Sequence, residues 1–252
     1  YLSYMKLKSK IRYYFFKLFP KKFNKAFNRL YDHKLNYNLL RLIENGINIE
    51  NIYDIGAYRG EWSKQVNETT LKNKNFFLFE ANEENDEYLS KLNFKYFFCV
   101  LSEKSKSVEF YSNISSGDSY FKEQTILYSN KANFKIKKTI TLDELVSKKR
   151  LPKPDFLKID TQGSELDILR GATRTVSECS LIYLECPVIE YNYNSPNFNE
   201  YIKFLDNIGF IPYDICEVHK IDNVLIQVDI LFIKKSKFKK IHLDKKILNI
   251  LN

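Results

Sequence analysis

The sequence predicts an α/β domain built on a mainly parallel sheet with antiparallel pairing at one edge, preceded by a basic helical extension. Three observations carry this. From about residue 50, short apolar runs alternate with segments of helical periodicity, the pattern of strands joined by crossover helices. The first of these runs ends in an acid and then glycines, where a strand must turn sharply into a helix. The last two apolar runs have no helix-length segment between them, so they should pair antiparallel. With 252 residues, 44% hydrophobic and 28% charged, the chain can bury one continuous core, and wholesale disorder is excluded. No apolar run approaches the ~20 residues of a membrane-spanning helix.

Residues 1–40 form the expected extension. Leu7, Ile11, Tyr14, Phe15, Leu18 and Phe19 fall at helical spacing between lysines, and Pro20 ends the run. Such a helix can lie on an anionic membrane surface, or pack its aromatic face on the domain or on a second subunit. Residues 41–252 form the expected domain. Asn51–Ile55 is a first strand, with a helix from Glu61 after the Gly56–Gly60 turn. Asn75–Glu80 is a second strand, followed by a polar helix from about Asn82 to Leu92. Lys95–Leu101 is a third strand, and a strand-like stretch, Ser107–Tyr111, precedes a polar loop around Ser115–Ser119. The capping box Thr141-Leu142-Asp143-Glu144 starts a short helix. Asp155–Asp160 is the fourth strand, Ser164–Arg170 a helix closed by Gly171, and Leu181–Cys186 the fifth strand. A helix over Asn197–Ile208 then leads to the antiparallel pair Phe210–Ile215 and Val224–Ile233.

Charge narrows the partners. The formal net charge of +9 invites a nucleic-acid reading, yet residues 1–30 carry nine Lys/Arg and no acid. The tail 234–252 adds seven Lys against Asp244 alone, which leaves the body between them mildly acidic and unsuited to a polyanion. Four cysteines, Cys99, Cys179, Cys186 and Cys216, are scattered without a C-x-x-C pair or a Cys/His cluster, so no zinc site or disulfide framework is expected. The first residues lack the order of a secretory signal, and a cytoplasmic location is expected, with the basic head docking peripherally at the inner face of the membrane if it binds lipid.

The chemistry centres on two turns. In Asp54-Ile-Gly56-Ala57-Tyr-Arg-Gly60, glycines let the backbone approach a ligand, and the helix that follows offers free N–H groups. Glu80, at the end of the next strand, is placed to accept hydrogen bonds from both ribose hydroxyls of an adenosine. The glycine spacing is not the G-x-G-x-x-G that a dinucleotide pyrophosphate wants, which disfavours a nicotinamide-dependent oxidoreductase. Asp54 suits a ligand with a cationic amino group. In Lys158-Ile-Asp160-Thr-Gln-Gly163, Asp160 stands at the carboxyl end of a strand, where open parallel sheets bind ligands. It can receive a proton from an attacking hydroxyl, contact a cofactor, or cap the next helix.

Together these residues resemble the FkbM-type family of S-adenosylmethionine-dependent methyltransferases. The resemblance runs from about Asn51 to Ile233. It rests on Asp54-Ile-Gly-Ala-x-x-Gly-Glu-Trp62-Ser, Phe79-Glu80, Thr141-Leu-Asp-Glu-Leu145, and Phe156-Leu-Lys-Ile-Asp-Thr-Gln-Gly-x-Glu165-Leu-x-Ile-Leu-x-Gly-Ala172. A strand ending in Glu185, Gly209-Phe210 and Gln227-Val-Asp229-Ile-Leu-Phe232 complete it. Two departures are Tyr58, where the family commonly has Asn, and Ala81-Asn82, where Pro commonly follows the acid. The resemblance implies a seven-stranded, doubly wound, Rossmann-like methyltransferase sheet. It also implies a methyl group moved from S-adenosylmethionine, usually to a hydroxyl of a sugar, glycan-type or polyketide acceptor.

Carried onto this sequence, Asp54, Gly56, Ala57 and Gly60 would hold the methionine part, Glu80 with Ala81 the ribose side, and Leu101 and Ser102 the adenine face. Asp160 is the first candidate base and a cofactor contact, and Glu185 is the second. His219 is a third candidate, or an exposed loop histidine without a catalytic role; His33 and His242 lie in the basic flanks. No metal is implied. Tyr191–Pro196 and Gly117–Ser119 are candidate walls of an acceptor site. A non-catalytic nucleotide-binding module in a glycan-assembly pathway is the alternative from another class.

Overall fold

The computed structural model describes residues 34–112, 117–124, 133–239 and 241. The amphipathic run between Leu7 and Phe19, His33, His242, Ser115 and Ser116 lie outside the described residues.

The main sheet has seven strands: β1 (Asn51–Ile55), β2 (Asn75–Glu80), β3 (Lys95–Phe98), β7 (Phe156–Ile159), β8 (Leu181–Pro187), β9 (Phe210–Ile221) and β10 (Val224–Lys234). Their order is β3-β2-β1-β7-β8-β10-β9, parallel except at β10, which runs antiparallel to both of its neighbours. The expected mainly parallel sheet with antiparallel pairing at one edge is therefore present. The reversed strand sits one place in, between β8 and the edge strand β9. A chain that leaves β1 toward β2 on one side and later enters β7 on the other opens a crevice at the carboxyl ends of β1 and β7.

Central strands covered on both faces are near-continuously apolar, which is why β1, β2, β7 and β8 were legible as apolar runs. Alternation splits them between two cores. Tyr53, Ile55, Phe77, Phe79, Leu157 and Ile159 face one side, packed against α4 (Leu142–Lys149), α5 (Glu165–Arg170) and α7 (Phe198–Asn207). Ile52, Phe76, Leu78, Phe156, Tyr183 and Leu231 face the other, where α1 (Lys34–Glu44) inserts Leu35, Leu39 and Leu42. The boundary expected at residue 40 thus falls inside α1, a helix that the domain core holds by three leucines. Its outer end is tied down too, because Lys34 and Asn38 donate to Asp214 on β9 at 2.7 and 3.0 Å.

Three elements differ from expectation. The helix from Asn82 to Leu92 is shorter: a 3₁₀ turn, Glu83–Asn85, then α3, Asp86–Leu89. Its six-residue acidic and amide run, Asn82 to Glu87, gives no apolar stripe to extend. The third strand breaks at Cys99; Val100–Leu101 (β4) leaves the main sheet and pairs with β6 (Asn133–Ile140), which also pairs with β5 (Ser107–Ser112). Of this three-stranded sheet only β5 was expected, as the strand-like stretch Ser107–Tyr111; β6 and its pairing with β4 were not. At Thr141 the hydroxyl accepts from the Glu144 N–H as expected, while the reciprocal capping box is found at Asn197 and Glu200 of α7. α2 (Glu61–Thr69) follows β1 where expected. Among the described residues no helix is long and apolar enough to cross a membrane.

Candidate functional site

A cavity of about 400 Å³ opens at the carboxyl ends of β1, β2 and β7, within the roughly 300–1,000 Å³ of small-molecule sites. Gly56, Glu80 and Asp160 line it, with Leu101, Phe110 and Ile168 on its apolar side. Gly56 permits the crevice to be this narrow. At φ +74° it presents its backbone to the end of β7, and a Cβ there would stand 1.8 Å from the carbonyl oxygen of Asp160. Glu80, 6% exposed, receives the Tyr58 and Asn82 N–H groups on its two oxygens, each at 2.7 Å. Each oxygen keeps a further lone pair for a ligand hydroxyl. Burial pushes this carboxyl up, and the two N–H donors work against that shift.

Behind the cavity wall, β1 and β7 share a buried charge pair. Asp54 and Lys158 are direct partners in register, and the Lys158 ammonium lies 2.9 Å from Asp54 Oδ1. Asp54 is wholly buried and also accepts from the Ser63 hydroxyl at 2.7 Å. The same ammonium donates to the Gly56 carbonyl at 3.1 Å and stands 3.6 Å from Asp160 Oδ2. One buried lysine thus holds the strand end, the glycine turn and the cavity carboxylate together. Its own burial lowers its proton affinity, but Asp54 and Asp160 outweigh that and hold it protonated.

Asp160 and Glu185 meet at the cavity floor. Gln162, at φ +55°, donates its amide to Asp160 Oδ1 at 3.2 Å and to both oxygens of Glu185 at 3.0 and 2.8 Å. Tyr191 donates to Glu185 at 2.8 Å. Burial alone would raise the Asp160 carboxyl; Lys158 and its hydrogen-bond donors outweigh burial and hold it down. Glu185 has no cation at hydrogen-bond distance, and burial and the Asp160 charge push its carboxyl well up. Glu165, by contrast, is spent on the turn itself. It accepts from the Thr161 and Gly163 N–H groups and from the Tyr201 hydroxyl, and does not line the cavity.

Segment 117–124 lines the cavity through Gly117, Asp118, Ser119, Tyr120 and Glu123, whereas 190–195, expected as a second wall, backs that segment without lining the cavity. Residues 117–124 and 190–195 are cross-linked by the Gln124 N–H to the Tyr191 carbonyl and the Tyr193 N–H to the Lys122 carbonyl. The Ser119 hydroxyl and the Asn192 amide both donate to the Gln162 carbonyl, so both segments anchor on one residue.

Of the residues singled out in the sequence, Gly56, Glu80, Ala81, Leu101, Asp160 and Glu185 line the cavity. The other five stand off it. Asp54 is closed in the core by Lys158. Ala57 gives its N–H to the Phe79 carbonyl. Gly60 is a packing position, where a Cβ would stand 2.4 Å from Leu92. Ser102 is fully buried, with its hydroxyl against that of Tyr120. His219 lies on β9, not in a loop, 3.3 Å from Asp229 Oδ1 and 3.7 Å from Glu217 Oε2. Lys158 and Gln162 were not expected as site residues, and Tyr191, expected on an acceptor wall, instead donates to Glu185. A lysine inside an apolar strand run was the one available signal for Lys158; Gln162 owes its place to loop geometry.

Comparison with known proteins adds a family. A family model described as Methyltransferase FkbM domain matches residues 54–212. A stretch of 48 residues is 40% identical to the hexuronic acid methyltransferase AglP of Haloferax volcanii, covering 19% of this chain and 20% of that protein. The chain therefore matches about a fifth of the length of this curated relative. Among solved structures, methyltransferase FkbM from Methylobacillus flagellatus is similar at 16% identity and TM-score 0.45, over 72% of this chain and 43% of that one. Magnesium protoporphyrin IX methyltransferase from Synechocystis, with bound S-adenosylmethionine, is similar at 11% identity and TM-score 0.45, over 85% and 82%.

Proposed function

The chain belongs to the FkbM methyltransferase family, and from that premise we propose that it is an S-adenosylmethionine-dependent O-methyltransferase whose acceptor is a hydroxyl of a sugar or glycan-type molecule. The observation that carries the reading is the cavity in which a Cβ-free turn at Gly56 faces two carboxylates, Glu80 and Asp160. That arrangement fits an adenosyl amino acid. Glu80 takes the ribose hydroxyls on its free lone pairs, Leu101 and Ile168 flank the adenine, and the acidic end at Asp160 receives the cationic methionine part.

When bound, S-adenosylmethionine supplies an electrophilic methyl carbon on a cationic sulfur. The chain's part is to hold an acceptor hydroxyl in line with that carbon and to take its proton as the new O–C bond forms and the C–S bond breaks. Asp160, kept ionised by Lys158, is the acceptor of that proton, and Gln162 fixes its orientation relative to Glu185. The cavity's acidic end favours the sulfonium over the neutral thioether product, which helps release of the spent cofactor. A sugar acceptor is supported by the partial likeness to a hexuronic acid methyltransferase.

Calorimetric titration with S-adenosylhomocysteine tests the cofactor half. Saturable binding that Glu80→Ala weakens supports it, and absence of binding overturns it. For the acceptor half, methyl-labelled cofactor is incubated with neutral sugars, amino sugars and hexuronates. Label recovered as an O-methyl sugar is the expected result; label transferred only to nitrogen or carbon acceptors rejects it.

A further inference from the structure

The reaction proposed above leaves one polar cluster unused. Register places Glu185 opposite Asp229, and Asp229 opposite Glu217, so three carboxylates occupy one level on β8, β10 and β9. Asp160 stands beside Glu185 at the end of β7, linked to it through the Gln162 amide. An acidic row therefore leaves the cavity floor and crosses the sheet toward its edge. His219 stands at the far end of that row. We propose that Glu217, His219 and Asp229 bind a divalent transition-metal ion at the end of this row.

Among the described residues, this is the set of three donors able to meet at one ion: a carboxylate oxygen from each acid and an imidazole nitrogen, all within 4.8 Å of one another. An imidazole with two carboxylates suits ions between manganese and zinc in character, whereas magnesium and calcium prefer oxygen throughout. The donors sit on two hydrogen-bonded strands rather than on a loop, so their spacing is fixed before an ion arrives. Outer partners already aim the acids. The Tyr183 hydroxyl donates to Glu217 Oε1 and to Asp229 Oδ2, each at 3.3 Å, and the Gln227 amide donates to Asp229 Oδ1 at 3.1 Å. His219 and Glu217 have side chains 45% and 48% exposed, against 15% for Asp229. Three protein ligands on an open side leave coordination positions free, the arrangement of an ion that takes an exchangeable ligand. Resting on the methyl-transfer reading, that ligand is an oxygen of the acceptor, which the ion anchors at the outer end of the acidic row.

The test uses cobalt(II) alone, added to the full chain without cofactor or acceptor, so its outcome is independent of the methyltransferase reading. The visible absorption of the ion reports its ligands. One cobalt per chain with a ligand-field band is expected. His219→Gln should weaken binding by at least about tenfold and shift the band, and Tyr183→Phe should weaken it about tenfold with the band retained. Because His219 is half-exposed, its variant should fold, and far-ultraviolet circular dichroism verifies this; Glu217→Gln gives a second, equally exposed change. Cobalt bound with the same affinity and spectrum by wild type, His219→Gln and Glu217→Gln would overturn the site. So would the absence of saturable binding at one ion per chain.

Discussion

The turns that follow β1 and β7 lie side by side, each joins a strand to a helix, and each has an aspartate beside it, Asp54 within β1 and Asp160 just after β7, yet they are built on opposite principles. The first is made by leaving things out. Gly56 gives up its side chain so that the backbone can touch the end of β7, and Asp54 is withdrawn into the core. The second is made by filling in. Glu165 collects its N–H groups, Gln162 spans two carboxylates, and Asp160 keeps a side chain 42% exposed toward the cavity. Lys158 serves both, and its contacts decide which aspartate is structural and which is available. A motif aspartate at a strand end is therefore functional or structural according to the cation and burial around it.

The largest effect expected is from Lys158→Met. It strands Asp54 as an unpaired buried charge, and loss of one partner of a buried pair costs about 3–5 kcal/mol. Urea unfolding measures it; a loss below about 1 kcal/mol would make the pair ornamental. Next, Gly56→Ala forces a Cβ against the Asp160 carbonyl in a left-handed backbone, a cost of about 2–3 kcal/mol. Its sharper readout is S-adenosylhomocysteine binding, which should disappear in folded protein. Retained binding would separate the two turns and break the comparison.

On the second turn, Tyr201→Phe removes one donor from the buried Glu165 carboxylate and should cost about 1–2 kcal/mol, with cofactor binding retained. A loss of binding larger than the loss of stability would place Glu165 among the cofactor contacts. The smallest effect lies away from both turns. Asp143 accepts from the N–H and hydroxyl of Thr175, the Arg174 N–H and the Thr173 hydroxyl, which tie α4 to α6 (Thr173–Val176). Burial tends to raise its carboxyl, and these donors hold it below its usual value. A depressed folded-state pKa means stability that is present above the unfolded pKa and lost as pH falls through the folded one. Asp143→Asn should therefore cost about 1 kcal/mol at pH 7 and less below about pH 4. A difference from wild type that stays constant between pH 7 and pH 3 would contradict that linkage.

What the sequence revealed followed burial. Strands covered on both faces are apolar runs, so β1, β2, β7, β8 and the closing pair stood out, and the glycine turn with Glu80 pointed to the cavity. β6 was missed, although Phe134-Lys135-Ile136-Lys137 alternates in polarity, because three of its eight residues are lysine and both Phe134 and Ile136 are exposed. The acidic row was not legible at all. Asp160, Glu185, Glu217 and Asp229 are scattered along the chain, and only the register of β8, β10 and β9 brings three of them to one level. His219 could be named from its chemistry but not placed, since its neighbours are set by a β-bulge-bearing ladder.

The cross-strand partnership of Asp54 and Lys158 also acts as a key for alignment. Neighbouring parallel strands rich in Ile, Leu and Phe can slide against one another, since one apolar side chain fills another's place at little cost. Shifting β7 by one residue against β1 would turn Lys158 to the opposite core and set Leu157 or Ile159 beside a bare carboxylate. A pair that adds little to stability compared with two hydrophobic residues thus penalises every wrong alignment of the two strands on which the cavity depends. Replacing both at once, Asp54→Leu with Lys158→Met, should keep the unfolding free energy while the amides of β7 lose their uniform slow exchange.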